Sequence, residues 1–205
     1  MHRYHLFMAK KHAYHHGDLR RALLQEAVRI IQKKGVDGLT LRVVGARLGV
    51  SRTALYRHFA DKSALLAAVA TEGFRMLRVE LIEAWNAHGQ SGSAFEEMGM
   101  AYVRFAVANP SHYRVMFGGH VEPNADPERA REGAGAFQAL VDALLAQQTQ
   151  GSVRAENPLR LAQFIWATVH GIAMLAIDGL LERQQTDVEA LVRFANERIR
   201  AGISV

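Results

Sequence analysis

The sequence has no cysteine among its 205 residues, which excludes disulfide scaffolds, zinc–thiolate and iron–sulfur centres and thiol nucleophiles, and leaves only His, Asp and Glu as metal ligands. Its opening stretch, MHRYHLFMAKKHAYHH, carries positive charge but lacks an apolar core long enough for a secretory signal and lacks a cleavage-like site, so a soluble cytoplasmic chain is expected. Met8, followed by Ala-Lys-Lys, is a second candidate start. Missing as well are a P-loop, a dinucleotide fingerprint, a Gly-x-Ser-x-Gly nucleophile turn and paired Glu-x-x-His helices, so the chain does not read as an enzyme. No stretch alternates apolar and polar residues with a period of two, which predicts no sheet, and there is no internal repeat.

What the chain does have is segregated charge. The formal net charge of +5 conceals a first segment, residues 1–62, with 13 Lys and Arg against 4 Asp and Glu, and a remainder with 12 against 16. All five lysines, Lys10, Lys11, Lys33, Lys34 and Lys62, fall in that first segment. Such asymmetry fits one end that docks on a polyanion and another with a different task; a solvated basic face or a membrane-surface patch would look the same by charge alone.

Hydrophobic spacing predicts helices throughout. Leu19, Leu23, Ala27, Val28, Ile30 and Ile31 mark an amphipathic helix over about 18–34, ended by Gly35. Thr40 is placed to cap a short helix carrying Leu41, Val44 and Leu48, which Gly49 stops where a left-handed residue is needed. Ser51 caps a third, reaching Phe59, with Leu55 and Phe59 inward and Arg52, Thr53, Tyr56, Arg57 and His58 outward. A long Ala/Leu-rich helix runs from Ser63 to about His88; helices at about 94–109, 111–117, 128–149, 158–182 and 187–201 follow a break at 89–93, with Asn109-Pro110 forcing a stop and restart and Asp187 capping the last. The expected fold is all-α with about nine helices: a flexible basic arm (1–14), an N-terminal three-helix domain (15–62), a connecting helix (63–88) and a C-terminal helical bundle (89–205).

Residues 40–59, TLRVVGARLGVSRTALYRHF, read as helix, tight Gly-Val-Ser turn, helix, the layout of a helix-turn-helix. The first helix braces the second, Gly45 and Ala46 allow close approach, and Gly49 reverses the chain. The second then projects with free amides at its start, favourable beside phosphate, while Arg52 and Thr53 can reach base edges. The bland reading is two short packed helices with exposed Arg and Tyr serving solubility. The basic arm Lys10 to His16, with Tyr14 interleaved, is placed to lie along a groove. His2, His5, His12, His15 and His16 lack the fixed spacing of a metal site, and no metal or other cofactor is expected.

These residues closely resemble the TetR family of transcriptional repressors. The match runs from His15-His16-Gly17-Asp18-Leu19 through GVSRTALYRHF to Asp61-Lys62-Ser63-Ala64-Leu65-Leu66. The resemblance implies that Tyr56 and Lys62 touch phosphate and that the turn before Tyr56 meets bases, giving a DNA-binding set of Thr40, Arg42, Ser51, Arg52, Thr53, Ala54, Tyr56, Arg57, His58 and Lys62. Gly45 departs from the alanine common in relatives. Farther on, Asn109-Pro110-Ser111-His112-Tyr113-Arg114-Val115-Met116-Phe117 and Trp166-Ala167-Thr168-Val169-His170-Gly171 are similar to the body of one TetR subgroup with a Trp-His-Gly signature.

The family implies a body that binds a ligand and dimerises. Leu159–Leu181 is nearly apolar around its circumference; Gln163, His170 and Asp178 argue against lipid, so burial between subunits, together with the helix at 187–201, is expected to make a four-helix homodimer interface. Candidates to line an effector pocket are Phe74, Trp85, Met98, Tyr102, Phe105, Tyr113, Met116, Phe117, Phe137, Trp166, His170 and Met174, with His170 and Tyr113 orienting a hydrophobic small molecule; packing is the competing role for each. The expected function is a repressor of double-stranded operator DNA released by such an effector, the alternative being a non-regulatory or architectural DNA-binding protein.

Overall fold

The computed structural model describes residues 16–89, 92–121 and 126–205; the expected basic arm lies outside them. Ten helices are formed among the described residues: α1 (His16–Lys34), α2 (Leu41–Leu48), α3 (Arg52–Tyr56), α4 (Lys62–Ala87), α5 (Gly92–Ala108), α6 (Pro110–Phe117), α7 (Pro127–Thr149), α8 (Pro158–Ile177), α9 (Leu180–Arg183) and α10 (Val188–Ile203). They contain no strand, and an isolated antiparallel bridge joins Val153 to Ser204. The fold is therefore all-α, an N-terminal helix-turn-helix unit carried on a C-terminal helical domain.

Local chemistry sets most of the boundaries. Thr40 Oγ1 accepts from Val43 N at 3.2 Å, Ser51 Oγ from Ala54 N at 3.2 Å and Asp187 Oδ1 from Ala190 N at 3.1 Å, each meeting an amide that the first turn leaves unpaired. Gly49, at φ 65°, closes α2 in the left-handed conformation. Two expected spans are corrected. The third helix ends at Tyr56, with Arg57 and His58 in a turn, so it is shorter than the expected 51–59. The single helix expected over 158–182 is broken: Gly179 adopts φ 69°, and Arg114 Nη2, reaching across from α6, donates to the Ile177 carbonyl and to Asp178 Oδ1 at 3.2 and 2.9 Å. That external donor satisfies the end of α8 and leaves α9 as a separate turn, which raises the count from nine to ten.

The long α4 is the spine. Its first half, through Leu65, Leu66 and Val69, shares one core with α1 and α2; its second half, through Phe74, Leu77 and Leu81, packs against α5, α6 and α7. Helix α6 touches both α4 and α1, so it joins body to head. A second small core, including Leu144, Ile165 and Ile199, closes the far end where α7, α8 and α10 meet.

Candidate nucleic-acid interface and ligand cavity

In the head, a short α2 must hold a shorter α3 at a fixed angle. Gly45 makes this possible: a Cβ there would stand 3.0 Å from Leu55 Cδ1 of α3. From behind, Glu26 of α1 is buried and accepts from Arg47 Nη1 at 2.9 Å and from Arg29 Nη1 at 3.2 Å, and Arg47 foremost, then Arg29, holds its carboxyl below the usual carboxylate range. Phe59 is buried beneath the Arg20 guanidinium, 5.4 Å from the ring centre. The Asp61 carboxylate starts α4 by accepting from Ala64 N at 2.8 Å. Two of the head's acidic groups are thus engaged in holding it together.

Outward, the residues of the expected set are exposed or half-buried, along α2, α3, the turn after it and the start of α4. Ser51, Arg52, Thr53 and Arg57 are exposed, as are Thr40 and Arg42 on α2; Ala54, His58 and Lys62 are half-buried. Tyr56 is 45% exposed, a large value for an aromatic that could have turned inward, and Arg52 stacks over its ring at 5.3 Å. Leu55 and Phe59 face the core as expected. The sequence reading missed the Glu26–Arg47 brace, which joins residues far apart in the chain. It also missed Asp61 as a cap, although an aspartate three residues before an Ala/Leu run is a recognisable start signal.

The body holds a cavity of about 220 Å³ lined by α4 to α8 and α10. Of the residues expected there, Phe74, Met98, Tyr102, Phe117, Phe137 and Trp166 line it. The others lie elsewhere. Phe105 and Met116 are fully buried in the core; Trp85 borders a separate surface groove with Arg78 and Ile82; and Tyr113, His170 and Met174 face a neighbouring crevice shared with Val36 and Asp37 of the head. Helical rotation explains the last group, because Ile165, Trp166 and Val169 of α8 face the cavity while His170, one step farther round, faces α6. Gly99 makes room for Asn196 of α10, whose side chain an added Cβ would meet at 2.6 Å, and Asn196 adds a polar wall with its Nδ2 donating to the Glu96 carbonyl at 2.9 Å.

Cavity and crevice meet at a hydrogen-bonded cluster. Trp166 Nε1 donates to Tyr102 Oη at 3.0 Å; Tyr102 Oη lies 2.9 Å from Tyr113 Oη and 3.2 Å from His170 Nδ1; Tyr113 Oη lies 2.7 Å from the same nitrogen. Tyr113 is fully buried and its ring stacks on His170 at 5.5 Å, with Phe117 set edge-on to His170 at 4.8 Å. Burial pushes the Tyr102 hydroxyl up to about 12, raises Tyr113 as well, and lowers His170, so the cluster is uncharged at neutral pH.

Exposed apolar side chains gather on α8 to α10: Phe164 is 57% and Phe194 53% exposed, with Leu159, Leu175 and Leu180 also open. Helix α8 is long and apolar enough, at mean hydropathy 1.3, to cross a membrane by length and composition, but a single helix of that kind is weak evidence. Between Phe164 and Leu175 the same flank carries Ala167 and Gly171, and a Cβ on Gly171 would meet nothing within 4 Å.

Comparison with known proteins matches both units. Residues 23–69 fit the family model for bacterial regulatory proteins of the tetR family, and residues 95–199 fit that for a tetracyclin repressor-like C-terminal domain. A solved structure of a protein with unknown function from Rhodococcus sp. RHA1 is 34% identical, superposes with TM-score 0.86 and is covered completely by 95% of this chain. An uncharacterized HTH-type transcriptional regulator of Bacillus subtilis is 22% identical over 85% of this chain and 87% of its own length. The class A tetracycline repressor of Escherichia coli is 48% identical, but only over 48 residues, 23% of this chain and 22% of that one.

Proposed function

From the premise that this chain belongs to the TetR family, and so is a DNA-binding transcriptional regulator, we propose that it is a dimeric repressor released from its operator by a small molecule held in the body cavity. The observation that supports this best is the pairing of an outward α3 segment with an apolar cavity in one chain, the two linked by α4 and α6. A purely architectural DNA-binding protein would have no use for the cavity.

In this reading Arg52 and Thr53 read bases, and Ser51, Tyr56, Arg57, His58 and Lys62 hold phosphate, with Thr40, Arg42 and Ala54 at the margins. The exposed flank of α8 and α10 covers its own copy in a second chain; the small residues Ala167 and Gly171 admit a close helix neighbour, and a two-fold dimer sets two reading heads on a two-fold site. The dimer, with its DNA, works in the cytoplasm. Occupancy of the cavity moves α4 and α6 against the head and shifts the dimer to a spacing that no longer fits the operator.

The test is binding to the DNA upstream of the chain's own coding sequence against random DNA over a range of salt. A regulator keeps a large affinity ratio throughout, and loss of that ratio would remove the reading. Within the complex, Arg52→Ala should cost about 1–3 kcal/mol and relax base preference, whereas Lys62→Ala should weaken all sequences alike and lower the salt slope by about 1. Equal effects of the two would undo the assignment of roles.

A further inference from the structure

Resting on the reading of the cavity as the effector site, we infer that its occupant is a compact, uncharged, ring-sized molecule whose polar group donates a hydrogen bond to Tyr102 Oη. Size comes first. An apolar cavity of about 150 Å³ accepts one benzene ring, and at about 220 Å³ this one has room for a single ring with a short alkyl chain. Charge comes second: no Lys, Arg, His, Asp or Glu side chain lines the cavity among the described residues, so an ion would lose its hydration without a partner.

The direction of the hydrogen bond follows from counting protons in the cluster. Its donors are Trp166 Nε1–H and the two tyrosine hydroxyls. If His170 Nδ1 is bare, its single lone pair goes to the nearer hydroxyl, Tyr113 at 2.7 Å and not Tyr102 at 3.2 Å; Tyr102 then donates to Tyr113 across 2.9 Å and Trp166 to Tyr102 across 3.0 Å, so every proton has an acceptor. If Nδ1 carries the proton, the chain reverses and the Tyr102 proton is left with no acceptor in the cluster, an arrangement that buried polar groups avoid. The satisfied arrangement leaves Tyr102 with no proton to offer and one lone pair still open. Tyr102 and Trp166 both line the cavity, so that lone pair is a polar point of its wall on the side away from the Asn196 amide of α10, and it asks for a donor: a phenol, an indole-type N–H or an alcohol. Burial, by keeping both tyrosines protonated and His170 neutral, keeps the cluster in this form at neutral pH.

The experiment is calorimetric titration of the intact protein with four matched probes: 4-propylphenol, 4-propylanisole, propylbenzene and 4-propylbenzoate. The phenol should bind about three- to tenfold more tightly than the anisole and the hydrocarbon, and the benzoate should not bind measurably. Tyr102→Phe should erase the advantage of the phenol while propylbenzene still binds, which also shows that the variant has folded. Equal affinities for phenol, anisole and propylbenzene would overturn the donor rule and leave the effector site standing. Preference for the benzoate would overturn the uncharged class. Failure of all four probes to bind would remove the effector site itself, and the inference with it.

Discussion

The head and the body of this molecule are specified in opposite ways. The head is held by charged and polar groups acting over short distances: three capped helix starts, the left-handed glycines Gly35 and Gly49, and the Glu26–Arg47 pair. The body makes its cavity where apolar side chains of six helices meet, with Gly99 giving way to Asn196, beside a buried cluster that carries no charge at neutral pH. The boundaries of the head's helices are a property of local sequence, with the Glu26–Arg47 brace and a shared core fixing how they pack, whereas the site in the body is a property of packing among six helices. If the body senses a ligand as proposed, a protein built this way can vary that ligand without disturbing how it meets DNA.

If the body acts on DNA only through the dimer, breaking the exposed α8 flank should give the largest effect of any body substitution. Phe164→Asp places a charge where a symmetric partner is expected, on a side chain that is already 57% exposed in the single chain. Losing the second head removes the avidity of two linked contacts, so operator affinity should fall about a hundredfold or more, with sedimentation showing a monomer and the helix content unchanged. A variant that stays dimeric and binds normally would put the interface elsewhere.

The same division accounts for what could be read in advance. Thr40, Gly49, Ser51 and Asp187 announce themselves because a cap depends on residues within four positions, and the outward set around Arg52 follows from a period of 3.6. Aromatics in the body carry no such address. Phe105 and Tyr102 lie on the same helix and are both buried, yet only Tyr102 lines the cavity, because its wall is set by where α7 and α8 pass and not by anything local to α5. Asn196 was missed for the same reason: its role depends on Gly99, far away in sequence. The break at Gly179 was partly legible in Asp178-Gly179, a turn signal, but the arginine that satisfies the preceding carbonyl comes from α6.

Two glycines at helix contacts sharpen the comparison. At Gly73, where α4 meets α6, an added Cβ would lie 2.5 Å from Met116 Sδ and 3.2 Å from His112 Cβ. Met116 is itself fully buried and has nowhere to go. Gly73→Ala should therefore destabilise the protein by about 1–2 kcal/mol in chemical denaturation, outweighing the gain in helix propensity. A stabilised variant would show that the α4–α6 contact is loose, and with it the proposed route from cavity to head.

Gly45→Ala poses the same question in the head and should give the smaller and opposite answer. Replacing a mid-helix glycine gains up to about 1 kcal/mol because the unfolded chain loses freedom. Against this stands one contact at 3.0 Å, to Leu55 Cδ1, the tip of a side chain; the next nearest atom, the Val50 carbonyl oxygen, is 3.7 Å away. A methyl group at the end of leucine can retreat by a few tenths of an ångström, whereas the middle of a buried methionine cannot. The net should be a stabilisation of about 0.5 kcal/mol, with operator preference unchanged because α3 keeps its angle. Should denaturation instead show a loss as large as at Gly73, the α2–α3 contact would be as tightly packed as the body, and the head's shape would depend on packing after all.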